Sequence, residues 1–468
     1  MQPNGNRPVI ISFRLEHLLG WTITIALCIV PVIFWLQQNP LSSISGFSAT
    51  MLAIGKVTGL VGIVMYSLNL IYATRLRILE RFFGGLNRVY IAHHMLGGLA
   101  LVFLSLHPLF LALRFVQTSL KQAALMLLPN GLFPLSALFD TSHQYHGLVL
   151  EQWAIFLGIL AFWGMIGLLL VTFFIKLPYR IWLYTHKFLG VAFFLGALHV
   201  LFITSDTSTN TALKYYILGM AALGIVAFIY RTLFSKMLIK RYQYIVDEVK
   251  ELPGGVFQLG MHPNGQTMFY QPGQFIFIRF THSTGDKVSQ EWHPFSISSP
   301  SNSKNLQITV KALGDYTSRL NIIKPGTTAE IEGAYGRFSF LNFKNRNQIW
   351  IAGGIGVTPF LSMGQSLPDD GYHVDLYYSV KTRSELIDFE KLADATFIRH
   401  GNFKIYPYIG DEQEGHLSAD YIEKTSGGLS GKDIFICGPP PMMQSLRKQL
   451  KSKAVPGARI HSEEFGMS

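Results

Sequence analysis

The sequence predicts a protein in three parts: a membrane α-helical bundle of six transmembrane helices, then an antiparallel β-barrel domain, then an α/β doubly wound domain. Three observations carry that prediction. Apolar runs of about twenty residues recur six times up to about residue 234, long enough at ~1.5 Å per residue to cross the hydrocarbon core. From residue 241 the pattern changes to short alternating runs separated by Pro, Gly and Asn, which suits the strands of a small barrel. From residue 346 buried-strand runs alternate with helical stretches, as in a parallel sheet. The expected domains are therefore 1–240, 241–345 and 346–468.

The spans fall at about 17–37, 51–73, 90–113, 151–175, 181–202 and 212–234. Lys and Arg cluster in the N-terminal tail, the 74–89 and 176–180 loops and the exit at 231–241, while the 38–50 and 203–211 loops contain neither. The positive-inside rule then places both termini and the C-terminal domains in the cytoplasm of a multi-pass cell (inner) membrane protein. No cleavable signal peptide is expected, because the apolar run Ile23–Leu36 continues as a full span. A formal net charge of +11 would suit nucleic acid, but the cations lie at membrane edges and in the C-terminal half, where lipid and an anionic cofactor account for them. Two cysteines, Cys28 and Cys437, cannot build a disulfide framework, an iron–sulfur site or a zinc site.

Two spans carry histidines at two depths: His93 and His107 on the third, His186 and His199 on the fifth. Ionisable residues at membrane depth are costly without a partner. Two helices each offering two imidazoles would hold two metal macrocycles, each iron bound axially from both sides, with the irons roughly 20 Å apart at helical rise. A single such histidine is more simply a helix–helix hydrogen-bond partner; four at matched depths favour ligation. Fourteen residues separate the first pair and thirteen the second, so either the fifth span is wound tighter locally or its ligands lie on different flanks. His94 would also give thirteen, but the repeat of His93-His94-Met95-Leu96-Gly97 in His186-Lys187-Phe188-Leu189-Gly190 aligns it with Lys187, which favours His93. Arg114 is either a partner for a haem propionate or an interfacial arginine. In the 114–150 loop and just after it, His143, His146 and Glu151 are either an acceptor or metal surface or solvated positions.

In the soluble half, Trp292-His293-Pro294-Phe295-Ser296-Ile297-Ser298-Ser299 offers an imidazole, a ring and hydroxyls suited to a flavin. Gly314-Asp315-Tyr316-Thr317-Ser318-Arg319 offers backbone amides, hydroxyls and an arginine suited to its pyrophosphate, although either segment would also serve as an ordinary strand or turn. The strand ending in Gly353-Gly354-Ile355-Gly356-Val357-Thr358-Pro359 runs into a helix, a turn through which a backbone can approach a dinucleotide. Lys381 and Arg383 follow the next strand, where they suit a ribose 2′-phosphate and so NADPH over NADH. Cys437-Gly438-Pro439 forms a tight turn at another strand end; the thiol is not expected to act as a nucleophile. Glu463, Glu464 and Phe465 then bring an aromatic ring to the chain end, where it would stack on the flavin.

The order of these parts resembles the NADPH oxidase and ferric reductase superfamily over nearly the whole chain: paired histidines on the third and fifth spans, then HPFSISS, GDYTSRL, AYGRF with Gly336, GGIGVTPF, ICGPPPMM and a near-terminal aromatic. The resemblance implies that His93 with His186 and His107 with His199 ligate two b-type haems. It implies that the HPFS segment lines FAD and the GGIGVTP turn the NADPH or NADH. Cys437 and its turn, with Glu464 and Phe465 at the chain end, would form the hydride-transfer site. Gly466-Met467-Ser468 follow Phe465, where oxidases of the family often end on the aromatic. No EF-hand loops or other regulatory segments are present, so calcium control is not expected and constitutive activity is; no obligatory protein partner is evident. The implied activity carries electrons from cytoplasmic NAD(P)H through FAD and the haems to dioxygen; a ferric chelate, or a quinone or periplasmic partner, is the alternative acceptor.

Overall fold

The computed structural model describes residues 13–128, 149–281, 290–369, 371–398, 402–413 and 415–463. The chain divides into two compact units, 1–238 and 239–468. The first holds six long helices: α1 (Phe13–Gln38), α2 (Phe47–Tyr72), α3 (Leu86–Leu113), α4 (Val149–Phe174), α5 (Tyr179–Phe202) and α6 (Thr211–Ile229). All six are long and apolar enough to cross a membrane, α6 with the π-turn Tyr230–Phe234 that continues it. Exposed apolar stripes at helical spacing, Ile25, Ile29 and Ile33 on α1 and Met95, Leu99 and Val102 on α3, are what a lipid-facing surface requires.

Inside the bundle the helices meet through glycine. Cβ atoms added at Gly55, Gly59 and Gly62 of α2 would stand 3.0, 2.5 and 2.8 Å from Leu111, His107 and Leu104 of α3, so this face admits no side chain and the two backbones approach closely. Gly224 of α6 packs in the same way against Phe193 of α5 and the Ser67 backbone. Lys56 on α2 is neutralised by Asp206 at 2.7 Å, as a charge in an apolar span must be.

The second unit opens with an antiparallel sheet of β1 (Arg241–Leu252), β2 (Val256–Pro263), β3 (Phe275–Thr281), β4 (His293–Ser296), β5 (Leu306–Lys311) and β6 (Thr328–Tyr335), in the order β4-β3-β6-β1-β2-β5. The sheet curls until its two edges meet at the Ile297–Ile308 bridge and the Ser298 N–H to Gln307 carbonyl bond of 2.8 Å. Among the described residues that single bridge replaces the continuous ladder of the expected barrel. Alternation along the strands fills its interior with Leu259, Met261, Ile276, Ile278, Ile308 and Ile331.

A five-stranded, wholly parallel sheet follows: β7 (Asn347–Gly353), β8 (His373–Val380), β9 (Phe403–Ile409), β10 (Asp433–Cys437) and β11 (Ile460–Ser462), ordered β11-β10-β7-β8-β9. Helices α7 (Thr358–Gln365), α8 (Phe389–Ile398), α9 (Ala419–Thr425) and α10 (Pro440–Ser452) connect the strands. Both faces of β7 are buried, Trp350 and Ala352 in one core and Ile349 and Ile351 in the other, which is why this stretch is continuously apolar. Strand order reverses beside β7, so the crevice beyond the ends of β7 and β10 is where such a sheet takes a ligand.

Candidate functional site

In the membrane unit, α3 and α5 bring His93 and His186 to a ring-centre distance of 6.3 Å, and His107 and His199 to the same 6.3 Å. A metal held between two imidazoles needs about 2 Å to each nitrogen and about 1 Å more to each ring centre, roughly 6 Å in all. His107 and His199 each direct Nδ1 at a backbone carbonyl of the neighbouring helix: His107 at Gly55 and His199 at Ala154, both 2.7 Å. His93 does the same with Asn69 at 3.0 Å. With Nδ1 as donor the tautomer is set and Nε2 is left as the nitrogen that could bind a metal. The His107 and His199 pair repeats one device twice: a carbonyl accepts the proton, and four residues later a glycine clears the ring. A Cβ at Gly59 would lie 2.5 Å from His107 Nδ1, and one at Gly158 would lie 2.7 Å from His199 Nδ1. His186 is held instead by Trp182, stacked at 5.1 Å with ring planes 11° apart, and its buried Nδ1 has no partner among the described residues.

His94 is exposed and lies beside His93 rather than across from His186. α5 is regular α-helix throughout, so its thirteen-residue spacing puts His186 and His199 on different flanks. No cluster of three or more metal-binding side chains occurs among the described residues. A macrocycle that brings its own equatorial nitrogens asks the protein for two. Arg114 ends α3 with its guanidinium 4.3 Å over the Phe115 ring. His143, His146 and the Glu151 side chain lie outside the described residues, as do Glu464 and Phe465.

In the second unit, β4 is an edge strand on β3, with His293 opposite Ile278 and Ser296 opposite Phe275; Pro294, which has no amide to donate, suits an edge. The His293 ring stacks on Tyr316 at 3.5 Å, with Phe295 beyond it at 6.5 Å. Burial lowers the His293 pKa against the pull of Glu291, whose carboxylate is 3.6 Å away, and burial raises that of the Tyr316 phenol. The Tyr316 hydroxyl is buried without a hydrogen bond among the described residues, and His293 Nε2 faces only the Glu291 carboxylate at 3.6 Å. An aromatic shelf with an unpartnered hydroxyl beside an imidazole fits a ring ligand with its own donors and acceptors, as a flavin is.

Several expected flavin contacts already have partners within the protein. Ile297 is fully buried in the sheet interior, and the Ser298 hydroxyl is spent on Gln307 at 3.1 Å and Thr309 at 2.9 Å. The amides of Leu313 and Gly314 are not open to a pyrophosphate: both donate to Thr317 Oγ1 at 3.0 Å, because the threonine hydroxyl closes the turn before the 3₁₀ helix Thr317–Ile322. Asp315 and Arg319 remain exposed beside it.

The glycine turn after β7 and the Cys437-Gly438-Pro439 turn after β10 interlock. A Cβ at Gly356 would fall 2.4 Å from the Cys437 carbonyl, and one at Gly353 would fall 2.6 Å from Met442 and 2.9 Å from Pro439. These two glycines therefore leave the room that lets the two turns pack together. Gly354, at φ +51°, has open space where a side chain would stand. Val357, Thr358 and Pro359 are buried in the start of α7. Cys437 is fully buried, and desolvation followed by the nearby Glu463 carboxylate raises its pKa, so it stays a neutral thiol. Glu463 also reaches the first sheet: a Cβ at Gly336 would be 2.8 Å from its Oε1. Gly336 in turn adjoins Phe275 and so the β4 edge, which puts the Cys437 turn on the flavin side. Lys381 is exposed, and Arg383 is engaged by Glu412.

The residues that the sequence reading missed are those acting through the backbone or across the chain: Gly59, Gly158, the Gly55 and Ala154 carbonyls, Trp182 and Glu412. Glycines four apart from carbonyl positions inside apolar spans were the available signal for the first four.

Three family models match in succession: the Ferric reductase like transmembrane component over 58–197, an FAD-binding domain over 242–346 and an oxidoreductase NAD-binding domain over 350–448. The glycine betaine monooxygenase reductase subunit of Chromohalobacter salexigens is 29% identical over 212 residues, covering 42% of this chain and 56% of that protein. The anthranilate 1,2-dioxygenase electron transfer component of Acinetobacter baylyi is 27% identical over 207 residues, covering 42% and 58%. The chain thus spans somewhat over half the length of these relatives. Among solved structures, ferredoxin-NADP+ reductase from Plasmodium falciparum aligns with TM-score 0.40 and 21% identity, over 48% of this chain and 95% of that one. With two compact units, six apolar helices and these three matches in one polypeptide, the chain is a membrane oxidoreductase of the NADPH oxidase and ferric reductase superfamily, a ferric-reductase-like transmembrane domain fused to an FAD- and NAD(P)-binding reductase module.

Proposed function

We propose that this protein withdraws electrons from cytoplasmic NAD(P)H through FAD and two b-type haems and passes them across the membrane to a one-electron acceptor, dioxygen in the first instance. One observation carries the reading: two facing imidazole pairs, His93 with His186 and His107 with His199, on two spans of a chain that also contains the flavin and nicotinamide modules. When bound, FAD turns a two-electron hydride donor into single-electron steps, and bis-histidine haems relay single electrons.

The chain's own residues supply position and protection. Nδ1 donation to Asn69, Gly55 and Ala154 orients three imidazoles, and Trp182 orients the fourth. The His293–Tyr316 shelf receives the flavin ring, while Gly354 and the interlocked turns after β7 and β10 seat the dinucleotide with the neutral Cys437 at the transfer point. Dioxygen needs no docking surface on the acceptor side, which suits a single chain of this layout. Reduction of a ferric chelate is the second reading, supported by the kind of transmembrane component that matches 58–197. Delivery to a partner is a third, supported by relatives that are named as electron transfer components.

The full-length protein, expressed with sufficient haem, is expected to show a Soret band that shifts on NAD(P)H addition and cytochrome c reduction that superoxide dismutase suppresses. Dismutase-insensitive activity with rapid ferric chelate reduction would replace the dioxygen reading. Absence of a Soret band, or an unchanged haem content in His107→Leu, would end the haem assignment.

A further inference from the structure

We infer that this protein takes NADH in preference to NADPH, and that Glu412 decides the choice by holding the Arg383 guanidinium and setting a carboxylate where a 2′-phosphate would stand. The inference rests on the NAD(P)H reading above and names which of the two nucleotides that site takes.

The sheet order places the dinucleotide's two halves. The glycine turn after β7 lies between β10 on one side and β8 on the other. The β10 turn faces the flavin side through Glu463 and Gly336, so the nicotinamide belongs there and the adenosine extends over the carboxyl ends of β8 and β9. Those two ends form one rim: the Gly410 amide donates to the Val380 carbonyl at 2.9 Å and the Asp411 amide to the Lys381 carbonyl at 3.0 Å. The rim carries Lys381 and Arg383 with the carboxylates Glu385, Asp411 and Glu412, and Lys311 reaches Glu385 there from β5.

The cations are also not presented as a phosphate site. Arg383 forms a fork with Glu412, Nε to Oε1 at 2.9 Å and Nη2 to Oε2 at 2.6 Å, using the planar edge that would otherwise clasp a phosphate. Glu385 accepts from the Lys381 amide at 3.0 Å and lies 3.5 Å from Lys311 Nζ, so a second carboxylate is fixed in the same rim. A 2′-phosphate would have to break the Arg383 fork and then sit within a Debye length of the displaced Glu412. A ribose 2′-hydroxyl donates to a carboxylate and meets neither obstacle. Lys381 and Arg383 read alone pointed to NADPH because Glu412 lies 29 residues farther along the chain.

The test measures kcat/KM for NADH and for NADPH with ferricyanide as acceptor, and the dissociation constants of NAD+ and NADP+ by calorimetry, on the full-length FAD-loaded protein. Wild type is expected to favour NADH at least tenfold by both measures. Glu412→Gln, which keeps the side-chain shape and removes the charge, is expected to move both ratios about tenfold or more toward the phosphorylated nucleotide. Adding Arg383→Ala to that variant is expected to reverse the gain, since the released guanidinium is what would meet the phosphate. Wild-type preference for NADPH, parity between the two nucleotides, or ratios unmoved by Glu412→Gln overturns the inference. Failure to bind or oxidise either nucleotide overturns instead the donor reading beneath it.

Discussion

Replacing Gly59 by alanine places a methyl group 2.5 Å from Nδ1 and 2.9 Å from Cε1 of His107, where ordinary contact is about 3.5 Å. The imidazole has to retreat from α2 by about 1 Å. The carbonyl that orients it, Gly55 O at 2.7 Å, is on that same helix, so the retreat stretches the bond beyond about 3.5 Å, where it no longer counts as one. Loss of the hydrogen bond that orients a metal-bound histidine lowers metal affinity roughly 10- to 100-fold. The helix itself is not the casualty, because alanine is favoured over glycine in a helix by about 1 kcal/mol. Gly158→Ala repeats the experiment from the other side, with its methyl 2.7 Å from His199 Nδ1. Gly164→Ala, on the same helix with nothing within 4 Å, is the control. Pyridine-haemochrome content per flavin is expected to fall toward half in Gly59→Ala and in Gly158→Ala and to stay at the wild-type level in Gly164→Ala. Two haems at wild-type potentials in both of the first two variants would refute the reasoning, since the ring would then tolerate a displacement that the ligand role forbids.

Two further outcomes follow from the second unit. A Gly356→Ala side chain would meet backbone, the Cys437 carbonyl at 2.4 Å and Gly438 Cα at 2.7 Å, so the turns after β7 and β10 must part; flavin content is expected to hold while the rate of flavin reduction by NAD(P)H falls on the order of 100-fold, and an unchanged stopped-flow rate would show that the interlock is dispensable. For His293, burial lowers the folded-state pKa below 6.5, so the unfolded chain takes up a proton that the folded protein resists; its contribution is complete above pH 6.5 and is lost as pH falls below it. Thermal unfolding between pH 7 and pH 5 is therefore expected to drop less steeply in His293→Gln than in wild type, and parallel slopes would contradict this.

Periodicity and length were enough for the spans. Six apolar runs became six helices within a few residues of the expected bounds, because only a helix satisfies its own backbone in lipid and hydropathy reports that requirement directly. The four histidines and the glycine turn after β7 were legible for a similar reason: an imidazole in an apolar run and a glycine cluster at a strand end are unusual enough locally to stand out. The same local view did not register that the missing side chains of Gly353 and Gly356 make room for Met442 and the Cys437 turn. Nor did it register that the hydroxyls of Thr317 and Ser298 close a turn and a sheet edge.

What the amino-acid order determined alone is which segments cross a membrane, which become sheet and which residue types are available for redox chemistry, since each follows from neighbours a few positions apart. What only the tertiary structure decided is how those residues are employed: His93 rather than His94 across from His186, Gly59 and Gly158 as clearances for two rings, and Arg383 in the grip of Glu412. The physical reason is that steric room, hydrogen-bond partners and charge neighbours are set by distances in space. These residues lie 29 to more than 90 positions apart in the chain, beyond anything a local pattern records.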